Sequence, residues 1–183
     1  MKQSVDTLYL HDPQFESGAR AFRDDAGGDC AIHPVSCLDT LRTALASYAQ
    51  VRFLVFDTHG VPGKLSLADH GHVDGMDFGM LRLLPNDLLR KQARVLFYGC
   101  NLGDGKEGDT FLDEFGLAAF RGKGGTAGAS TVSNFTLSIG PFSTAGVWMD
   151  IGNPFSARLK VVRFDEAGHR AEAMSVNRWG SPD

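Results

Sequence analysis

Phe53-Leu54-Val55-Phe56-Asp57-Thr58-His59-Gly60 is a run of apolar and β-branched side chains that stops at an acid, a hydroxyl, an imidazole and a glycine. Such a run reads as a strand buried on both faces, the pattern of a parallel sheet. A second stretch has the same form: Arg94-Val95-Leu96-Phe97-Tyr98-Gly99-Cys100-Asn101-Leu102-Gly103 ends in a thiol flanked by glycine. In open α/β sheets ligands bind in the crevice outside the carboxyl ends of the strands. Neighbouring tips would therefore bring His59, a base, and Cys100, a nucleophile, into one cleft. Their separation of 41 residues suits successive parallel strands joined by a crossover.

Working outward, Leu38, Leu41, Leu45 and Tyr48 recur at helical steps, which predicts a helix over 37–48 with Ser36 as its N-cap. Asp6 to Asp12 alternates as a strand, and the polar stretch Glu16 to Asp29 reads as a loop. Beyond His59 the segment 61–73 reads as a small hairpin. A helix is expected over 80–91, broken or restarted at Pro85, and another over 109–120 with Phe111, Leu112, Phe115 and Ala118 or Ala119 on one face. Thr126 to Ser130 suits one more parallel strand. After it Phe135–Ile139, Ala145–Ile151 and Ala157–Phe164 alternate like antiparallel strands, and 177–183 reads as a frayed tail. The expected architecture is a single α/β domain over 1–183, with a β-rich extension at about 131–170 that walls the cleft.

A chain of 183 residues buries enough surface to need neither disulfide nor metal. Its 43% hydrophobic and 22% charged residues are ordinary for a globular protein. A net charge of −4 and the lack of a clustered basic face argue against nucleic acid. No long apolar stretch or conventional secretion signal opens the sequence, so no membrane partner is expected. The expected location is cytoplasmic, or outside the cell by an unconventional route. Cys30, Cys37 and Cys100 make an odd count without CxxC spacing, the mark of a reducing compartment, and only Cys100 follows a strand-like run.

Attack by sulfur on a carbonyl needs a thiolate, a proton acceptor and donors aimed at the developing oxyanion. Cys100 opens a glycine-lined turn before a helix, where unpaired N–H groups favour the thiolate. His59 exchanges protons near neutrality, and the N–H groups of Gly60 and Cys100 are the candidate oxyanion donors. A glycine beside each reactive group is a placement that packing alone does not call for. Asp57 is a candidate orienter of the imidazole, and Asn101, Ser130 and Thr131 are candidate cleft residues.

Thr58-His59-Gly60 followed by Pro62-Gly63-Lys64-Leu65-Ser66-Leu67, and Val95 to Gly103 with Gly105, Gly108 and Phe111-Leu112, resemble the catalytic blocks of the caspase-like (clan CD) cysteine peptidases. Within that clan they are most similar to a bacterial domain family whose blocks read S-H-G-x-P-G-x-L and L-Y-G-C. The resemblance covers about residues 50–130. It implies a caspase-like αβα sandwich with a mostly parallel central sheet, and cofactor-free cleavage of a peptide or protein through a His59/Cys100 dyad. The caspase block Q-A-C-x-G is absent, so a preference for aspartate does not carry over, and Thr58 stands where serine is common. Two other readings compete with this one. In the first the fold is kept as an inactive peptide-binding module. In the second Asp69-His70-Gly71-His72-Val73-Asp74 supplies a metal-dependent hydrolase through His70 and His72.

Overall fold

A computed structural model describes residues 1–26, 29–132, 138–139, 142–143 and 158–177. Its centre is a seven-stranded sheet. The strands are β1 (Thr7–His11), β2 (Cys30–Pro34) and β3 (Val51–Asp57), then, past a hairpin of β4 (His59–Val61), β5 (Lys64–Ser66) and β6 (His72–Asp74), β7 (Leu89–Phe97), β8 (Gly125–Ser130), β9 (Arg158–Phe164) and β10 (Arg170–Asn177). The helices are α1 (Glu16–Ala26), α2 (Leu38–Ser47), α3 (Gly75–Met80) and α4 (Gly105–Ala119). Across the sheet the order is β2-β1-β3-β7-β8-β9-β10. The first five strands run parallel, and β9 and β10 close the edge antiparallel.

This order reverses direction once, between β1 and β3. Parallel crossovers are right-handed, so the step from β1 to β2 puts α1 on one face, and the return from β2 over β1 to β3 puts α2 on the other. The step from β7 to β8 continues the return direction and leaves α4 beside α2. The core divides accordingly. Leu8, Leu10, Leu54, Phe56, Val95 and Phe97 pack with α2, α3 and α4, while Tyr9 and Val55 face Ala19 and Phe22 of α1. The molecule is a mixed α/β protein with helices on both faces of a large, mostly parallel sheet.

Directly beneath the two strand tips, Phe56 of β3 stacks on Phe97 of β7 at 4.9 Å between ring centroids. Phe115 meets Phe97 edge-on at 4.9 Å and Phe78 at 5.0 Å. Each such pair is worth about 0.5–1.5 kcal/mol beyond its buried area. The stack holds the two tips in fixed register: Phe56 sits opposite Phe97, and the Tyr98 N–H donates to the Phe56 carbonyl at 2.8 Å.

Several expectations need correction. The expected loop over 16–29 contains α1, which is polar because it buries a narrow stripe at Ala19 and Phe22 and carries an Arg20–Glu16 ion pair on its exposed side. With β2 it stands between the first strand and α2, a unit the apolar periodicity does not reveal. The N-cap of α2 is Cys37, not Ser36, because the Thr40 hydroxyl accepts both backbone N–H groups at 3.0 Å. The helix expected over 80–91 lies earlier, at α3, where Asp74 and Asp77 cap each other, and from Leu89 onward the chain is already β7. The antiparallel reading of 157–164 holds as β9, paired with an unanticipated β10. Of 135–139 only Ser138–Ile139 is described, paired with Phe142–Ser143. Segment 145–151 and residues 178–183 lie outside the described residues. Among the described residues no helix is long and apolar enough to cross a membrane.

Candidate functional site

Where β3 ends at Asp57 the buried Thr58 bends the chain, and β4 begins at His59. Pro62 and Gly63 close the hairpin, with Gly63 at φ +74°, the left-handed geometry of a Pro-Gly turn. Where β7 ends, Tyr98 to Asp104 form a turn that enters α4. The two tips touch backbone to backbone. A Cβ on Gly60 would lie 3.0 Å from Gly99 Cα and 3.1 Å from the Cys100 carbonyl oxygen, and one on Gly99 would lie 3.2 Å from the His59 carbonyl oxygen. Packing therefore does explain these two glycines, contrary to the sequence argument, and the same contact sets His59 and Cys100 beside each other. A hydrogen bond from the Gly63 N–H to the Leu102 carbonyl, 3.0 Å, ties the hairpin to the turn a second time.

His59 is exposed. Its Nε2 meets the Gln14 side-chain amide, and its ring lies 5.1 Å from that of Phe15. Both neighbours come from the turn after β1, so the imidazole sits over the point where the strand order reverses, the place such sheets reserve for ligands. Asp57 does not hydrogen-bond the imidazole. Because the chain bends at Thr58, the alternation that would align residues 57 and 59 is broken. One Asp57 carboxylate oxygen instead accepts the Tyr9 hydroxyl at 2.8 Å. Burial pushes the Asp57 carboxyl above the usual range, against the Tyr9 hydrogen bond and the charges of His11 and His59. Burial, with the Asp57 charge, also raises the Tyr98 hydroxyl to about 12.

The Cys100 turn differs from its expected form. The N–H of Asn101 donates to the Val132 carbonyl (3.0 Å), that of Leu102 to Gly99 (3.4 Å), that of Gly103 to Ser130 (2.7 Å) and that of Asp104 to Asn101 (2.9 Å). These four donors face carbonyls rather than the sulfur, and the helix itself begins only at Gly105. Asn101 takes a left-handed φ of +54° to make the turn. Cys100, Asn101 and Thr131 are half-buried, whereas Ser130 is fully buried and its hydroxyl donates to the Val132 carbonyl at 2.9 Å. Ser130 thus serves the junction of the two loops.

His70 and His72 are exposed on the hairpin, and His72 Nδ1 pairs with the Ser66 hydroxyl at 3.1 Å. Among the described residues no three His, Cys, Asp or Glu side chains converge as a metal site. Burial pushes the Cys30 thiol up, while the Thr40 N–H and hydroxyl hold the Cys37 thiol below its usual range. Cys37 therefore ionises more readily than an ordinary thiol.

The residues that sequence reasoning missed are those at the tip of β1: His11 and Asp12, which are 1% and 3% exposed, with Gln14 and Phe15. The Asp12 N–H donates to the Asp57 carbonyl at 2.8 Å, and its Oδ1 accepts the Gln14 N–H at 3.0 Å. The available signal was an alternating run ending in His11-Asp12-Pro13, the same strand-then-polar form as the other two tips.

The sheet and its three converging tips define a mixed α/β protein with its polar side chains gathered at the carboxyl edge of the strands. Residues 33–131 match the family described as Domain of unknown function (DUF4347), and the chain belongs to that family. The matched span holds the tips of β3 and β7 but not that of β1. No curated protein matches the chain.

Proposed function

We propose that this protein is a caspase-like cysteine endopeptidase in which His59 and Cys100 form the catalytic dyad. The supporting observation is the backbone contact of Gly60 with Gly99 and Cys100, which brings a base and a nucleophile from adjacent parallel strands to one edge. His59 takes the Cys100 proton, and the thiolate forms a C–S bond to the peptide carbonyl carbon. The imidazolium then protonates the amine as the C–N bond breaks, leaving a thioester. Water, deprotonated by His59, cleaves the thioester and restores the thiol.

The oxyanion rests on the N–H groups of Gly60 and Cys100. In the two-residue hairpin Val61 and Lys64 form the closing hydrogen-bonded pair, so the alternation of an antiparallel ladder turns the Gly60 N–H away from β5. Asn101 and Thr131 line the substrate's path. The test is cleavage of a diverse peptide library by wild type and by Cys100→Ala. Loss of turnover to background in a variant with an unchanged melting curve is expected, and parental turnover by the variant overturns the mechanism. Binding of peptides without cleavage by wild type would mark a binding module instead.

A further inference from the structure

Asp12 is 3% exposed, and its Oδ2 is buried without a hydrogen-bond partner. Buried carboxylate oxygens are almost always paired, so an orphan beside a candidate reactive centre marks where a donor from outside the chain belongs. Asp12 sits at the strand-order reversal, joined to Asp57 through its N–H and to Gln14 through Oδ1. The charges acting on Asp57 come from Asp12, His11 and His59. Among the described residues no lysine or arginine pairs with either carboxyl, and the basic groups that act on Asp57 are the imidazoles of His11 and His59.

We infer that this edge of the sheet takes the cationic side chain of an arginine or lysine in the substrate, with Asp12 Oδ2 as its acceptor and the Asp57 carboxyl beside it. The inference rests on the peptidase reading for the identity of the substrate, though not for the existence of the cation site. Gln14 is exposed, and its side chain lies on His59 Nε2. When substrate enters, the Gln14 amide gives way and frees His59 Nε2. Gln14 touches both Asp12 Oδ1 and His59 Nε2, which assigns a cation held at Asp12 to the side chain next to the scissile bond.

The direct test is binding of n-butylguanidinium and its neutral counterpart n-butylurea to the Cys100→Ala protein, followed by NMR. A preference of about 10-fold or more for the cation is expected, because a paired ionic acceptor discriminates strongly against a neutral mimic. It should disappear in Asp12→Asn, which keeps the turn-capping oxygen and is checked for folding by its melting curve. Equal binding of the two probes, no binding of either, or a preference that Asp12→Asn leaves intact overturns the inference. Should Asp12→Asn not fold, Asp57→Asn replaces it, with a weakened preference expected and an undiminished one contrary. A parallel comparison uses wild-type enzyme on peptides carrying arginine or citrulline before the scissile bond. Cleavage confined to other residues, without selectivity for the cation, removes the inference and leaves the peptidase. Selective cation binding with no peptide cut removes the peptidase and leaves the cation site.

Discussion

At the tip of β7 the N–H groups from Asn101 to Asp104 all close onto carbonyls and the flanking glycine presses on its neighbour, whereas the tip of β1 buries a histidine and an aspartate and leaves one carboxylate oxygen unmatched. The first region has its hydrogen-bonding capacity spent on holding a turn. The second retains capacity that nothing among the described residues uses. Between them stands the tip of β3, whose backbone is locked to the turn after β7 through Gly60 and whose imidazole leans toward Gln14 and Phe15 in the turn after β1. A rigid support on one side and an unsatisfied acceptor on the other is the division expected of a preorganised site.

The sharpest way to break this contrast is to remove the support beneath both tips. Phe97→Ala deletes the ring that stacks on Phe56 and meets Phe111 and Phe115, and should cost about 3–5 kcal/mol in urea unfolding. A loss under 1 kcal/mol, on the scale of an ordinary surface change, would show that the stack does not hold the tips. Gly60→Ala places its methyl 3.0 Å from the Gly99 backbone and should cost about 1–3 kcal/mol. Gly18→Ala in α1, where a Cβ meets nothing within 4 Å, should instead stabilise by about 0.4–1 kcal/mol. Equal effects at the two glycines would contradict the interlocked tips.

The polar side of the contrast carries a pH signature. Burial raises the Asp57 carboxyl when the chain folds, so the folded state favours the protonated acid. That contribution is fully present below the ordinary aspartate pKa of about 4 and is lost as pH rises through the raised value. Asp57→Asn, which can still accept the Tyr9 hydroxyl, should therefore gain stability on wild type between about pH 4 and neutrality. A difference that does not vary with pH would count against it. The smallest effect is expected at Gln14→Ala, an exposed change worth about 0.5 kcal/mol or less in stability, yet one that should alter the pH profile of Cys100 alkylation by freeing His59 Nε2.

What could be read from the chain follows the strength of its patterns. The last residues toward the tips, Phe53–Phe56 of β3 and Val95–Phe97 of β7, are continuous apolar runs because both faces are covered there, and the face of α4 is spelled by Phe111, Leu112 and Phe115. These elements, and with them the positions of His59 and Cys100, were legible. Helix α1 was not, since only Ala19 is fully buried along its length, and β2 was hidden because its five residues are only half-buried or exposed. The polar tip of β1 escaped notice for a different reason: a buried aspartate with an orphan oxygen has the same letters as a solvated turn. The glycines misled in the other direction, since Gly60 and Gly99 are called for by packing as much as by any chemistry.

The central claim is that His59 acts on Cys100, and the most direct measurement is the rate of iodoacetamide labelling at each cysteine, resolved by mass spectrometry, in wild type and His59→Ala. Cys37 should label in both proteins, because its thiol is held below its usual pKa by Thr40 at the start of α2, so selectivity alone decides nothing. Faster labelling of Cys100 in wild type that falls about 10-fold or more in His59→Ala, with Cys37 unchanged, is the predicted result. A Cys100 rate that is the same in both proteins contradicts it.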